Sequence, residues 1–285
     1  MTQPASAPIV FDRNLLARRQ RRAAIAPETF LLDRVAEDLA DRLAAVNRSF
    51  TQAADVWTPG TGLQPYLAGR LSQLAPIAAP DTGDETLPLA PQSLELALSA
   101  LAFQFVNDLP GLLVQIRRAL RPDGLLLAAM IGGDTLTELR QSFAAAEAEI
   151  EGGVSPRVAP FADLRDVGGL LQRAGFALPV ADVDRVVVRY ASAFALMQDL
   201  RRMGATNSLV ERRRMPLRRA TLLRMAAIYA ERFADPDGRI RATFDIIWMS
   251  GWAPHDSQQK PLKPGSATVS LEAAVKRSPS MGNDE

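Results

Sequence analysis

Two groups of polar residues beside glycines are the first candidates for chemistry in this sequence. Asp55 precedes Gly60 and Gly62, and Asp134 follows a glycine pair and precedes Glu138. A glycine turn lets a ligand approach the backbone because no Cβ intervenes, which is typical of turns that hold a nucleoside. Asp134 and Glu138, spaced one helical turn apart, could grip a guanidinium with paired carboxylates. They are therefore the candidate catalytic residues, with helix capping as the alternative role of Asp134.

The sequence lacks cysteine and has a single histidine, His255. Without cysteine the chain forms no disulfide, no thiolate zinc site and no iron–sulfur cluster. One histidine excludes two-histidine iron sites and most histidine relays within one chain. We therefore expect no metal cofactor.

Two arginine clusters stand out in a chain whose formal net charge is only +1: Arg18 to Arg22 and Arg212 to Arg219. They could contact RNA, but no aromatic platform accompanies them, which favours a solvated face or a protein-docking surface over nucleic acid. No apolar run approaches about 18 residues, so the sequence predicts no transmembrane segment. The arginine-rich start lacks a secretory apolar core, and we expect a soluble protein in a reducing compartment.

Apolar periodicity places the first glycine turn between a strand and a helix. Spacings of three and four residues predict an amphipathic helix over residues 28–46. A short strand over residues 53–57 leads into the turn, and a helix begins near Leu63. The segment 75–91, rich in Pro, Ala and Gly, is predicted to be a loop.

Further along, strands and helices alternate as in an α/β domain. The nearly all-apolar strand over residues 124–130 indicates burial on both faces, as in a parallel sheet covered by helices. A helix is predicted to begin at Asp134, and another to end at Gly175 in a left-handed cap. The remaining predicted elements are strands at 94–101, 183–190 and 241–249, and helices at 110–120, 193–203 and 216–233.

Short motifs in the sequence resemble those of a known family. Leu120-Arg121-Pro122-Asp123-Gly124 and Ala174-Gly175-Phe176, each before a strand, resemble class I S-adenosylmethionine methyltransferases. Motifs that are more specific to one family resemble those of the methyltransferase-like assembly factors of respiratory complex I. The mitochondrial member of that family is described as an arginine hydroxylase. These motifs are Phe11-Asp12-Arg13, Val106-Asn107-Asp108-Leu109-Pro110, Gly132-Gly133-Asp134-Thr135-Leu136, Glu138-Leu139-Arg140, Glu151-Gly152-Gly153, Ser155-Pro156 and Gly265-Ser266-Ala267-Thr268-Val269.

The resemblance implies a fold, a domain layout and a partner. The fold is α/β, the Rossmann-like class I methyltransferase fold with a mostly parallel doubly wound sheet and extra helices. We expect a basic N-terminal arm at residues 1–27, a methyltransferase-like domain at 28–254 and a mostly flexible tail at 255–285. The implied substrate is a protein, at an arginine in a hydrophilic-arm subunit of the proton-pumping NADH dehydrogenase. We place this member in a bacterial cytoplasm, peripheral to the inner membrane only through that partner.

The cofactor turn of the methyltransferase family is degraded here. Asp55, Gly60 and Gly62 are the candidate contacts with S-adenosylmethionine, but Trp57 and Pro59 fall near positions where the family has glycine. Trp57 would fill volume that the cofactor needs. Binding of S-adenosylmethionine is therefore open to question on the sequence alone.

The region of strand two, whose terminal acid accepts both ribose hydroxyls in the family, is shortened or lost. Asp81, Asp84 or Glu85 could substitute for that acid. Each charged hydrogen bond to the ribose contributes roughly 1.5–3 kcal/mol to binding. Losing two of them would weaken the dissociation constant for S-adenosylmethionine from micromolar toward millimolar.

Ser99 and Gln104 lie at the carboxyl end of a central strand, where open α/β sheets bind ligands. The family commonly has His-Trp where this chain has Gln104-Phe105. A glutamine can hydrogen-bond a ligand but cannot take a proton from it at neutral pH. Both residues are kept as candidate ligand contacts.

Three functions follow from these observations. The main interpretation is a complex I assembly factor that modifies an arginine on a partner protein. The second is an S-adenosylmethionine-dependent methyltransferase, favoured by Asp55, Gly60 and Gly62. The third is a catalytically inactive binding module that keeps the methyltransferase fold.

Overall fold

The computed structural model describes residues 8–259, which contain six strands and eight α-helices. The strands are β1 (Ala53–Val56), β2 (Leu74–Ile77), β3 (Leu94–Ala100), β4 (Leu120–Gly132), β5 (Ala177–Tyr190) and β6 (Ile240–Trp252). The helices are α1 (Arg13–Ala23), α2 (Phe30–Ala44), α3 (Gln64–Leu67), α4 (Leu109–Ala119), α5 (Thr137–Glu151), α6 (Leu164–Arg173), α7 (Ala193–Arg202) and α8 (Arg219–Phe233). A 3₁₀ turn, Phe103–Phe105, follows β3.

The strands form one sheet in the order β2-β1-β3-β4-β6-β5. β1 pairs in parallel with β2 and β3, and β3 pairs in parallel with β4. β6 runs antiparallel between β4 and β5. The expectation of a mostly parallel, doubly wound sheet is confirmed, and the carboxyl ends of β1, β3 and β4 meet at one edge.

Helices cover both faces of the sheet because successive strand residues point to opposite sides. In β3, Leu96 and Leu98 join one buried cluster and Ala97 joins the other. Side chains of α2, α5, α7 and α8 complete the first cluster, and those of α4 and α6 complete the second. Burial from both sides explains the continuous apolar run of β4.

The segment predicted to be a loop begins with a strand, so that part of the prediction was wrong. β2 has only four residues and pairs with β1 at the edge of the sheet. Ala75 and Pro76 are exposed, and proline is tolerated there because an edge strand leaves one side unpaired. The strand-two region is therefore shortened but present.

α5 begins three residues later than the predicted start at Asp134. β4 extends through Gly132, and a turn with a left-handed Gly133 (φ 54°) follows. The amide of Asp134 donates to Asp245 Oδ2 at 2.9 Å, so this residue belongs to the turn. The N-cap of α5 is Leu136, and Asp134 is not a helix cap.

α1 lies in the segment predicted as a basic arm. Asp12 caps it by accepting a hydrogen bond from the Leu15 amide at 2.9 Å. Leu16 and Ala17 are buried, and a Cβ at Gly204 would come within 3.1 Å of the Gln20 backbone. This close approach holds α1 against the end of α7.

The chain divides into two units, with the boundary after Pro254. Most of the predicted tail, including the motif at residues 265–269, lies outside the described residues. Within the described part, no helix combines the length and apolar character needed to cross a membrane.

Candidate functional site

A cavity of about 390 Å³ opens at the carboxyl ends of the central strands. Its floor includes Gly60 after β1, Leu101 after β3 and Ile131 near the end of β4. Its walls come from α1, the start of α2, α5, α7 and the segment 205–208. A cavity of this size at this place in an open α/β sheet is the expected ligand site.

The cavity lining is mainly apolar, with a few charged groups. Three arginines and one glutamate line it: Arg19, Arg157, Arg202 and Glu28. Arg202 pairs with Glu28 at 3.1 Å, and Arg157 pairs with the fully buried Glu147. Arg19 donates to the carbonyl oxygen of Asn207, which also lines the cavity.

The turn after β1 is built around Asp55. Its Oδ2 accepts the Leu63 amide at 2.7 Å, and its Oδ1 is buried. A Cβ at Gly62 would lie 2.6 Å from Oδ2, so the turn requires a glycine there. Burial raises the pKa of Asp55 above its ordinary value, against the lowering effects of Thr58 and of the Leu63 amide. Asp55 and Gly62 shape the turn, and Gly60 reaches the cavity.

Ser99 and Gln104 have different positions. Ser99 is fully buried, and its hydroxyl donates to the Val56 carbonyl at 2.8 Å, which ties β3 to β1. Gln104 lines the cavity, with its Nε2 on the Leu101 carbonyl at 2.7 Å and its Oε1 accepting the Ile131 amide at 3.4 Å. Only Gln104 of this pair is placed to contact a ligand in the cavity.

Trp57 lies between the ends of β1 and β2, where the fold family holds the nucleoside. Its amide donates to the Ile77 carbonyl at 2.9 Å, and its side chain is 4% exposed. The Arg13 guanidinium lies over the indole at 5.6 Å and donates to the Phe105 carbonyl at 3.0 Å. Arg13 is itself 7% exposed, so the chain's own side chains fill this position.

The acids that could replace the ribose-binding residue are all engaged by groups of the chain itself. Asp81 pairs with Arg21 at 3.0 Å on the surface, and Asp84 accepts hydrogen bonds from Thr86. Glu85 accepts the amides of Asn107 and Asp108 and pairs with Arg13 at 3.8 Å. Because β2 ends at Ile77 and is followed by Ala78, Ala79 and Pro80, no acid stands at its carboxyl end. The residues present do not fit the adenosine part of S-adenosylmethionine.

Asp134 and Glu138 do not share a helical face. Asp134 is in the turn before α5, and its largely exposed carboxylate pairs with Arg185 at 2.9 Å. Glu138 is 6% exposed, and its carboxylate accepts the hydroxyl of Thr243 at 2.5 Å and the amide of Thr243 at 3.2 Å. The predicted carboxylate pair is corrected for this reason: α5 starts at Thr137, and Glu138 faces β6.

The N-terminal segment contributes residues to the site that the sequence analysis missed. Asn107 Oδ1 accepts the amides of Val10 and Phe11, both at 2.8 Å, and Phe11 packs edge-on against Phe105. Phe11 and Arg19 then line the cavity. The sequence analysis noted both motifs that form this contact, Phe-Asp-Arg and Asn-Asp-Leu-Pro. Their spacing along the chain did not predict that they touch.

Across the described ranges, no group of three or more His, Cys, Asp or Glu residues is placed to hold a metal ion. The charged groups near the cavity are instead held in ion pairs and in hydrogen bonds to the backbone.

Comparisons with known proteins place the chain in a family. A model described as "Methyltransferase domain" matches residues 35–128. The mitochondrial arginine-hydroxylase NDUFAF5 of Danio rerio is 38% identical over 284 residues, covering 92% of this chain and 88% of the fish protein. The Homo sapiens protein of that name is 38% identical, covering 92% of this chain and 82% of its own length.

Bacterial methyltransferases are also similar over part of the chain. Malonyl-[acyl-carrier protein] O-methyltransferase of Laribacter hongkongensis is 41% identical over 181 residues, covering 64% of this chain and 58% of that protein. Among solved structures, the YcgJ protein of Bacillus subtilis superposes with a TM-score of 0.51 at 11% identity, covering 76% of this chain and 98% of that one. At that identity the likeness shows the fold alone. Because the NDUFAF5 proteins match over most of both lengths, the chain belongs to the family of the mitochondrial arginine-hydroxylase NDUFAF5.

Proposed function

We propose that this protein modifies an arginine side chain of a partner protein, by hydroxylation as the name of its relatives states. The observation that carries the proposal is 38% identity covering 92% of the chain, well beyond the 94 residues of the methyltransferase match. That span takes in most of the helices that wall the cavity as well as the sheet. The proposed partner is a hydrophilic-arm subunit of the proton-pumping NADH dehydrogenase.

The turn before α5 offers one contact to such a partner, next to Thr135 and Leu136 of the cavity lining. Asp134 lies on the surface, where its carboxylate pairs with Arg185 and its side chain is 71% exposed. We propose Asp134 as the contact that a partner's guanidinium could take over from Arg185; Glu138 is too buried for that role.

We further propose that the protein does not bind S-adenosylmethionine in the manner of its fold family. Trp57 and Arg13 fill the nucleoside position, and no acid ends β2. Hydroxylation adds an oxygen atom and needs an oxidant, so the proposed reaction requires a co-reactant besides the protein partner. We place this chemistry in a bacterial cytoplasm, with contact to the inner membrane made through the partner.

The direct test is mass spectrometry of the partner complex. NADH dehydrogenase is purified from a host with the gene and from a deletion strain, and arginine-containing peptides of the hydrophilic arm are compared. An arginine that carries one added oxygen only when the gene is present supports the proposal. Identical peptides in both strains, with assembly of the complex impaired, would instead support an inactive binding module.

A second candidate is an S-adenosylmethionine-dependent methyltransferase. The methyltransferase match over residues 35–128 and the O-methyltransferase relatives favour it. It predicts a methyl group, rather than an oxygen, on the partner. Growth of the same strains with methyl-labelled methionine distinguishes the two proposed reactions. A label on the arginine would show that the protein is a methyltransferase and not a hydroxylase.

A further inference from the structure

The cavity has a surplus of positive charge that nothing in the described residues neutralises. Of its three arginines, Arg157 is held by Glu147 and Arg202 by Glu28. Arg19 forms no ion pair within residues 8–259 and donates only to a backbone carbonyl, that of Asn207. One cation is therefore left beside an otherwise apolar cavity.

The surroundings of Arg19 add to this surplus. Burial lowers the pKa of Arg19, and the nearby Arg212, Arg18 and Arg22 lower it further, while Asp12 opposes them by raising it. The acid among its neighbours, Asp12, is already paired with Arg212 at 3.2 Å. A partly buried cation among cations carries a desolvation cost that a bound anion would offset.

The same charges argue against a guanidinium inside the cavity. The one carboxylate in its lining, Glu28, is shared with Arg202, which also donates to the carbonyls of Ala26 and Pro27. A guanidinium entering the cavity would meet three arginines and, among the described residues of the lining, no unpaired acid. The contact proposed for a partner's arginine, Asp134, is not part of the cavity lining.

We propose that the cavity binds a small molecule with an apolar body and a single anionic head, a carboxylate in the simplest case, with the head on Arg19. Apolar side chains such as Leu139, Phe143 and Met197 would cover the body, and Gln104 lies at the floor as a hydrogen-bonding group. A volume of about 390 Å³ is enough for a medium-chain carboxylic acid. This site does not depend on the proposed arginine modification and is tested without it.

The test uses decanoate, with decylammonium as the cation of the same chain length. Titration calorimetry on the full chain should show decanoate binding with one molecule per protein and at least about tenfold tighter than decylammonium, because a charge-assisted hydrogen bond separates the two. Equal affinity for the two molecules, or no binding of decanoate, would overturn the proposal.

Two variants on one helix identify the side chain that binds the anionic head group. Arg19→Gln should weaken decanoate binding by about tenfold and leave decylammonium binding unchanged or improved. Arg22→Gln is the matched control, since Arg22 is an exposed arginine of α1 that does not line the cavity, and it should keep the parent affinity. Equal losses in both variants would mean that a general positive field, and not Arg19, attracts the anion.

A third variant locates the apolar body. Ala24 lines the cavity and is exposed, so Ala24→Trp should block the cavity without disturbing the core. Decanoate binding should be lost while the melting temperature stays near that of the parent. Binding that survives this change would place the molecule outside the cavity and contradict the proposal.

Discussion

The buried carboxylate of Glu147 shows how single residues secure the wall of the cavity. Its side chain is fully buried on α5, where it accepts the amide and the hydroxyl of Ser155 and pairs with Arg157. Burial alone would raise the pKa of Glu147, but the hydrogen bonds from Ser155 and Arg157 outweigh it, and the pKa is lowered. The charged form is therefore the one that stabilises the fold.

Glu147→Gln should destabilise the protein by about 1–3 kcal/mol at pH 7, because the hydrogen bonds of a charged group are lost within a buried site. A lowered pKa in the folded state means that the stabilisation exists above the unfolded pKa of roughly 4.3 and is lost as pH falls through the folded value. The difference in unfolding free energy between the parent and the variant should therefore become smaller below about pH 4. Urea unfolding at several pH values measures it.

Glu149→Gln is the control for this prediction. Glu149 is on the same helix, but it is exposed and pairs with Arg224 at the surface. We expect little change in stability. A loss at Glu149 as large as that at Glu147 would contradict the role given to burial.

Trp57→Gly tests the closure of the nucleoside position. Trp57 has a positive φ of 65°, which glycine adopts without strain, so the turn should survive. Removing the indole opens the space under Arg13. Calorimetry should show no S-adenosylmethionine binding by the parent up to millimolar concentration and measurable binding by the variant. Micromolar binding by the parent would show that the cofactor reaches the site despite Trp57.

At the scale of secondary structure, the elements with the clearest patterns were predictable. β4 has a long apolar run because helices cover both of its faces, and α2 has a clear helical period because one face is buried. β2 was missed because four half-exposed edge residues, one of them proline, carry no period. The start of α5 was misplaced because Asp134 looks like a cap in sequence, while its amide is taken by Asp245 from β6.

The site was less predictable than the elements for a related reason. Gly60 and Gln104 were named from the sequence and do reach the cavity, since both follow strands that end at its floor. Arg19 was named only as part of a surface arginine cluster and the segment 205–208 was not named, because their contact joins parts of the chain almost two hundred residues apart. Local spacing contains no information about such a contact.

Asn107→Ala tests how the start of the chain is attached to the sheet. The Asn107 side chain makes three hydrogen bonds to the backbone of Val10 and Phe11. Their loss should destabilise the protein by about 1–3 kcal/mol and speed amide exchange at residues 9–13. Hydrogen exchange with mass spectrometry follows that segment, and Asn47→Ala, at an exposed position, serves as control. Unchanged exchange would mean that other contacts hold the segment.

At the scale of the whole molecule, the division between arm and domain can be tested by truncation. The boundary proposed before residue 28 separates α1 from the sheet, yet α1 and the residues before it supply one wall of the cavity. Phe11, Leu16 and Ala17 are buried, and burying each of the two large side chains contributes roughly 1.5–3 kcal/mol.

A chain that begins at Glu28 should therefore lose about 3–6 kcal/mol of unfolding free energy, a large part of the 5–15 kcal/mol that is usual for a folded domain. It should also lose decanoate binding, because both Arg19 and the wall are removed. Urea unfolding and calorimetry measure the two effects. The control is the double variant Arg18→Gln and Arg22→Gln in the full chain, which changes only exposed side chains of α1. Its unfolding free energy should stay near the parent value. If the truncated chain were as stable as the full chain, α1 would be a dispensable arm, and the cavity would have to be rebuilt without it.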